Sequence, residues 1–184
     1  MNYTKITISG LICTGKTSLF WGLQRKLIWP TFSASQFFRD YARTHNALLE
    51  KAEEQSQKLT REVDNRMQNM LKQRGNLIIE GWMAGIMANQ QNDVLRVLLQ
   101  CDDEVRYARF ANREKVTLVQ AKERVQEREK NLFVVLQQIY HRNDFVDQKN
   151  YNFIIDSTYL TMPELVEKTL NALGYPADGI EKKQ

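Results

Sequence analysis

Four short aliphatic runs punctuate the chain: Lys5 to Ser9, Asn76 to Glu80, Val94 to Gln100 and Asn152 to Asp156. Each is rich in Ile, Leu and Val and too short for a helix, the pattern of a buried strand. A fifth short strand is predicted at Thr31 to Ser33. Between them, apolar positions recur with helical spacing over Lys16 to Leu27, Ser35 to Thr44, Leu59 to Lys72, Asp103 to Glu114, Thr117 to Tyr140 and Pro163 to Leu173. Near-continuous apolar strands alternating with helices predict an α/β, doubly wound, mostly parallel five-stranded sheet flanked by helices. In that architecture ligands bind at the carboxyl ends of the strands, so the residues that follow each strand carry the functional reading.

Length and composition narrow the picture. A chain of 184 residues fits one domain, expected to span 1–176, and 177–184 reads as a loose tail. The longest apolar stretches are broken by Glu80 or Gln100, well short of the ~20 residues that span a bilayer, and nothing after Met1 reads as a secretion signal. Cys13 and Cys101 lie far apart with no histidine nearby to build a metal site, which suits a reducing compartment; a cytoplasmic protein is expected. The net charge of +4 reflects arginines concentrated between Arg106 and Arg142, a composition suited to anionic ligands. They alternate with Glu and Asp along helices instead of forming a phosphate-tracking stripe, which argues against nucleic acid. Small-molecule partners are expected, no membrane contact, and the oligomeric state is open.

The sharpest chemical signal follows the first strand. Gly10-Leu11-Ile12-Cys13-Thr14-Gly15-Lys16-Thr17, then Ser18, is a complete GxxxxGK[ST] Walker A motif between a strand and a helix. Its glycines allow backbone N–H groups to converge on phosphate oxygens, and the following helix points its positive end at the same anion. Lys16 is expected to reach the β- and γ-phosphates of ATP, and Thr17 to offer a hydroxyl to Mg²⁺. Cys13 reads as loop filler, because no base stands beside it in sequence.

Other strand ends supply further candidates. Glu80, at the end of the Leu77-Ile78-Ile79 run, is placed to hold a magnesium-bound water or orient an acceptor, with a helix cap as its bland alternative. Gly81 and Gly85 suggest close approach to the backbone. Ser33 and Ser35 suit a helix cap, and Arg39 one turn on suits an acceptor phosphate. Arg106, Arg109 and Arg113 share one helix face, as do Arg124 and Arg128, which predicts a helical lid over about 106–142 that closes on phosphates. Charge-paired surface helix is the competing explanation, since Glu104, Glu114, Glu123, Glu127 and Glu129 are interleaved.

Taken in order, the Walker A loop, Ser33-Ala34…Phe38-Arg39, Arg61-Glu62-Val63-Asp64…Arg66, Glu80-Gly81, Ala84-Gly85, Glu127-Arg128-Glu129, Ile139-Tyr140 and Asp156-Ser157-Thr158 resemble the cytidylate kinases of archaeal type. The resemblance implies a P-loop kinase that uses ATP and Mg²⁺ to phosphorylate CMP or dCMP. It implies an acceptor region over about 33–75, with Ser33, Arg39, Asp64 and Arg66 as acceptor residues beside Glu80, Gly81 and Trp82. It also implies Arg109, Arg113 and Arg128 as lid arginines. Two positions depart from the family: Trp82 and Val135 stand where arginines are expected, with Arg142 near the second. Two alternatives follow, a related kinase for a nucleoside or other small metabolite, and a nucleotide-binding regulatory protein with degenerate catalysis.

Overall fold

The computed structural model describes residues 3–46 and 57–175; the predicted tail at 177–184 lies outside them. Five strands, β1 (Lys5–Gly10), β2 (Thr31–Ser33), β3 (Leu77–Glu80), β4 (Val94–Gln100) and β5 (Phe153–Asp156), form one sheet in the order β2-β3-β1-β4-β5. Every pairing is parallel, with Ile8 opposite Glu80 on one side of β1 and Val97 on the other. The carboxyl ends of β1, β3 and β4 therefore open side by side, where the chain switches from one half of the sheet to the other.

Among the described residues, seven α-helices connect and cover these strands: α1 (Lys16–Leu27), α2 (Ala34–Thr44), α3 (Gln57–Lys72), α4 (Ala84–Met87), α5 (Asp103–Glu114), α6 (Leu118–Tyr140) and α7 (Met162–Leu173). Their starts follow local chemistry. Ser33 caps α2 by accepting the Gln36 N–H. Thr117 with Gln120 and Thr161 with Glu164 form capping boxes at α6 and α7. Thr117, predicted as the first residue of a helix, is thus its cap. The other predicted helix ends fall within two residues of those observed.

Side chains alternate across the sheet as a period of two requires. Ile6, Ile8, Ile78, Leu95, Val97 and Leu99 face α1 and α7 in one core, whereas Leu77, Ile79 and Val94 face Met67 and Leu71 of α3 and Leu136 of α6 in a second. On that second face β1 contributes Lys5, Thr7 and Ser9, all buried. Lys5 pairs with Asp93 and Ser9 donates to the Gly81 carbonyl, so the row is polar but mostly satisfied. A third cluster, Ile12, Tyr107, Phe110, Ala121 and Val125, ties the loop after β1 to α5 and α6.

Candidate active site

The loop Gly10–Ser18 bends on backbone conformations that most side chains resist. Gly10 has φ 147°, and a Cβ there would lie 2.4 Å from the Leu99 carbonyl oxygen. Gly15, at φ 96°, meets only ordinary contacts, so its demand for glycine is conformational. α1 begins at Gly15 with no side-chain cap and no acidic residue in its first turn, which leaves its leading N–H groups and positive dipole end directed into the loop. Thr14 folds inward and donates to the Leu11 carbonyl. The Lys16 ammonium also reaches Leu11 O at 2.6 Å and lies 5.4 Å from the centre of the Trp82 ring. Burial pushes the Lys16 pKa below its ordinary value, and the charge of Glu80 opposes that shift. Burial raises the Cys13 thiol pKa above its ordinary value, with Arg113 and Lys16 opposing.

One cleft of about 590 Å³ joins this loop to residues from three other elements. Cys13, Gly15, Lys16, Thr17 and Ser18 line one wall; Ser35, Arg39 and Trp82 line a second; Arg109, Arg113 and Arg128 close the third. Of the residues named from sequence, the structure thus brings Ile12, Cys13 and Gly15 to Ser18 together with Arg39, Arg109, Arg113 and Arg128, whereas Gly10, Leu11 and Thr14 do not line the cleft. Arg109 is fixed by the Ser157 carbonyl at 2.8 Å and lies within 3.3 Å of the Cys101 sulfur and 3.4 Å of the Cys13 carbonyl. Ser157, just past β5, in turn donates to the Thr14 carbonyl. Cys13 and Cys101, distant in sequence, flank the same guanidinium. Arg113 donates to Glu114 and packs over Phe110. Arg39 is held by Gln36 of its own helix.

Glu80 is completely buried at the end of β3, with Ser33 donating to one carboxylate oxygen at 2.5 Å and Ser35 to the other at 2.7 Å. Ser33 is therefore engaged twice, as cap and as Glu80 partner, and Ser35 serves Glu80 instead of the helix. Glu80 has no exposed surface and does not line the cleft, so of the two residues expected at Mg²⁺ it is Thr17 that stands at the cleft wall; one hydroxyl suits an ion that keeps most of its waters.

Behind Trp82 lies a recess of about 40 Å³ lined by Ser35, Phe38, Thr60, Asp64, Met67 and Leu132 among others. Asp64 accepts the Tyr140 hydroxyl at 2.5 Å; burial pushes its pKa up to about 6 against the pull of that bond. Arg66 lies elsewhere, stacked 4.9 Å over Phe32 beside an open groove along α3. Arg106, grouped with Arg109 and Arg113 by spacing, is buried and bound by Asp103 and Glu129, and it does not line the cleft. Arg142 is held by Asp144 through two N–H groups and is likewise outside it. Close approach at Gly81 and Gly85 comes from the protein itself: added Cβ atoms would meet Met67 Sδ at 3.2 Å and the Tyr151 ring at 2.3 Å. Sequence reasoning gave Glu129 only as an interleaved surface charge. Its signal was present, since Ala121, Val125 and Glu129 recur at four residues along the buried stripe of α6.

Known proteins agree with this geometry. The family described as AAA domain matches residues 6–131. A cytidylate kinase of Methanocorpusculum labreanum is 32% identical over 164 residues, covering 88% of this chain and 91% of its own. One from Haloarcula marismortui is 29% identical over 182 residues, covering 97% and 94%. Among solved structures, shikimate kinase from Bacteroides thetaiotaomicron superposes with a TM-score of 0.60 at 18% identity, covering 93% of this chain and 98% of that one. A gluconokinase from Sinorhizobium meliloti gives 0.63 at 11%, covering 94% and 93%. A Walker A loop continuous with arginines from an acceptor helix and two covering helices, on an all-parallel sheet shared with such enzymes, leads to one conclusion: the chain belongs to the AAA domain family and is a P-loop kinase.

Proposed function

We propose that the cleft transfers the γ-phosphoryl group of ATP to the phosphate of a nucleoside monophosphate, with CMP or dCMP as the preferred acceptor. The observation that carries this reading is the single cleft in which Lys16 and the loop face Arg39, Arg109, Arg113 and Arg128. A phosphate acceptor is already ionised, so its reaction needs positive charge and alignment more than a strong base, and this cleft supplies arginines in abundance. Relatives described as cytidylate kinases support the same reading.

In this reading the Gly10–Ser18 backbone and Lys16 bind the triphosphate, and Arg39 grips the acceptor phosphate. Arg109, Arg113 and Arg128 stabilise the charge on the group in flight. Thr17 would hold Mg²⁺, which would neutralise charge on the β- and γ-oxygens. Asp64 favours a base with an exocyclic amine, since a carboxylate pairs with the cytosine N4 amino group. Arg66 and Gly81 act from outside the cleft, as a stacking partner of Phe32 and as backbone support.

A second reading, a kinase for a nucleoside or another small metabolite, draws on Trp82, whose indole packs edge-on against Phe133 and offers an apolar wall beside Lys16. ADP release with ATP, Mg²⁺ and a panel of monophosphates, nucleosides and sugar or cyclitol acids separates the two. The proposal expects CMP or dCMP to give the highest kcat/KM; a preference for an unphosphorylated acceptor refutes it.

A further inference from the structure

The peptide at Ile12 is held at both its N–H and its carbonyl by side chains of α5 and α6. Glu129 Oε1 accepts the Ile12 N–H at 2.8 Å. The same oxygen accepts Arg106 Nη1–H at 2.6 Å, and Nη1 also donates to the Ile12 carbonyl at 3.0 Å. The opposite edge of the guanidinium binds Asp103 through Nε at 3.1 Å and Nη2 at 2.6 Å. Meanwhile the Ile12 side chain packs with Tyr107, Phe110, Ala121 and Val125. Loop, α5 and α6 thus meet at one peptide.

A buried ion pair is a costly way to fill such a place. Replacing one by well-packed apolar residues is often neutral or stabilising, and the surroundings here are apolar already. What apolar side chains lack is directionality: they hold no peptide in a fixed orientation. The residues next along each helix explain why orientation matters. Arg109 follows Arg106 by three residues, Arg128 immediately precedes Glu129, and both line the cleft. We propose that Arg106 and Glu129 are positioning residues that lock the Ile12 peptide to α5 and α6, so that the loop's phosphate cradle and the arginines Arg109 and Arg128 keep a single geometry. Displacements of about 1 Å in such machinery cost as much as 10²-fold in rate.

The inference rests on the cleft being a phosphoryl-transfer site, which ADP release by the unmodified protein tests separately. Its own test compares two variants that remove the buried charges together: Arg106→Met/Glu129→Gln, which keeps an oxygen for the Ile12 N–H, and Arg106→Met/Glu129→Leu, which does not. The Leu variant is expected to lose about 10–100-fold in kcat and about tenfold in ATP affinity, with acceptor KM unchanged within about twofold, as misalignment predicts. The Gln variant, which keeps an acceptor for the Ile12 N–H but loses the donor to its carbonyl, is expected to lose less, about 3–10-fold, and both to melt near wild type. Wild-type kcat in the Leu variant, or equal losses in both, overturns the proposal. Should the Leu variant fail to fold, Arg106→Lys decides. It retains the charge but not the fork that reaches Ile12, Glu129 and Asp103 together, so a several-fold lower kcat supports the lock and an unchanged one overturns it. If the unmodified protein releases no ADP with any acceptor, the kinase reading fails by itself. ATP affinity measured by calorimetry then carries the test, and equal affinity in the Leu variant and wild type overturns the lock.

Discussion

The loop after β1 and the recess behind Trp82 open into neighbouring space, yet they are built on different principles. The loop is contiguous, held by its own backbone, and it presents N–H groups and one lysine to a ligand. The recess draws Ser35 and Phe38 from α2, Thr60, Asp64 and Met67 from α3, Trp82 from the turn after β3 and Leu132 from α6. A backbone-built site tolerates little change at a few fixed positions and binds what all nucleoside triphosphates share. A recess built from side chains on four separate segments can change its lining one substitution at a time, and Trp82 is part of that lining.

The contrast predicts unequal consequences. Lys16→Ala should have the largest effect, a loss on the order of 10³-fold in kcat with an unchanged circular-dichroism spectrum, because the ammonium acts on phosphate charge and not on packing. Activity within a few-fold of wild type would dissolve the distinction between the two regions. In the recess, the raised pKa of Asp64 has a definite sign: the folded state favours the protonated carboxyl, so its contribution to stability is full below pH 3.8 and is lost as pH rises through about 6. The stability of Asp64→Asn relative to wild type, from urea titrations, should therefore grow from near zero at pH 4 to as much as about 2–3 kcal/mol at pH 7. A difference that does not vary with pH would place the carboxyl in water.

Arg39→Ala should raise the acceptor KM about tenfold or more while leaving ATP affinity nearly unchanged, the loss of one charge-assisted contact. Equal weakening of both substrates would move Arg39 from the acceptor side to the shared loop. The smallest effect is a gain: Trp82→Arg/Val135→Arg should increase CMP-dependent turnover several-fold by returning guanidinium charge to the acceptor position at 82 and the expected lid position at 135. No gain would mean that the indole belongs to a pocket shaped for another acceptor.

Much of the fold was legible because its signals are local. β2, β4, α1 and α5 match their predicted bounds to the residue, since hydrophobic period and end signals coincide there. The phosphate loop was legible for the same reason. The arrangement of the arginines on α5 and α6 was legible only in part. Arg106 and Arg109 have the same spacing logic, but Arg106 turns into the interior because Glu129, on the next helix, offers a buried partner. No rule of helix periodicity contains that pairing. Gly85 likewise suggested close approach to the backbone without saying of what; the neighbour is Tyr151, which comes from beyond β4. Of the recess, Ser35, Asp64 and Trp82 were named from sequence, but that they share one hollow was not, since it is defined by how α2, α3 and α6 pack.

The central claim, that the two regions cooperate in one transfer, is tested most directly by ³¹P NMR of the full-length protein with ATP, Mg²⁺ and CMP. The account predicts that CDP and ADP appear together in equal amounts, at a rate that saturates with CMP and is lost in Lys16→Ala. ADP formed without CDP, or at a rate indifferent to CMP, would contradict it.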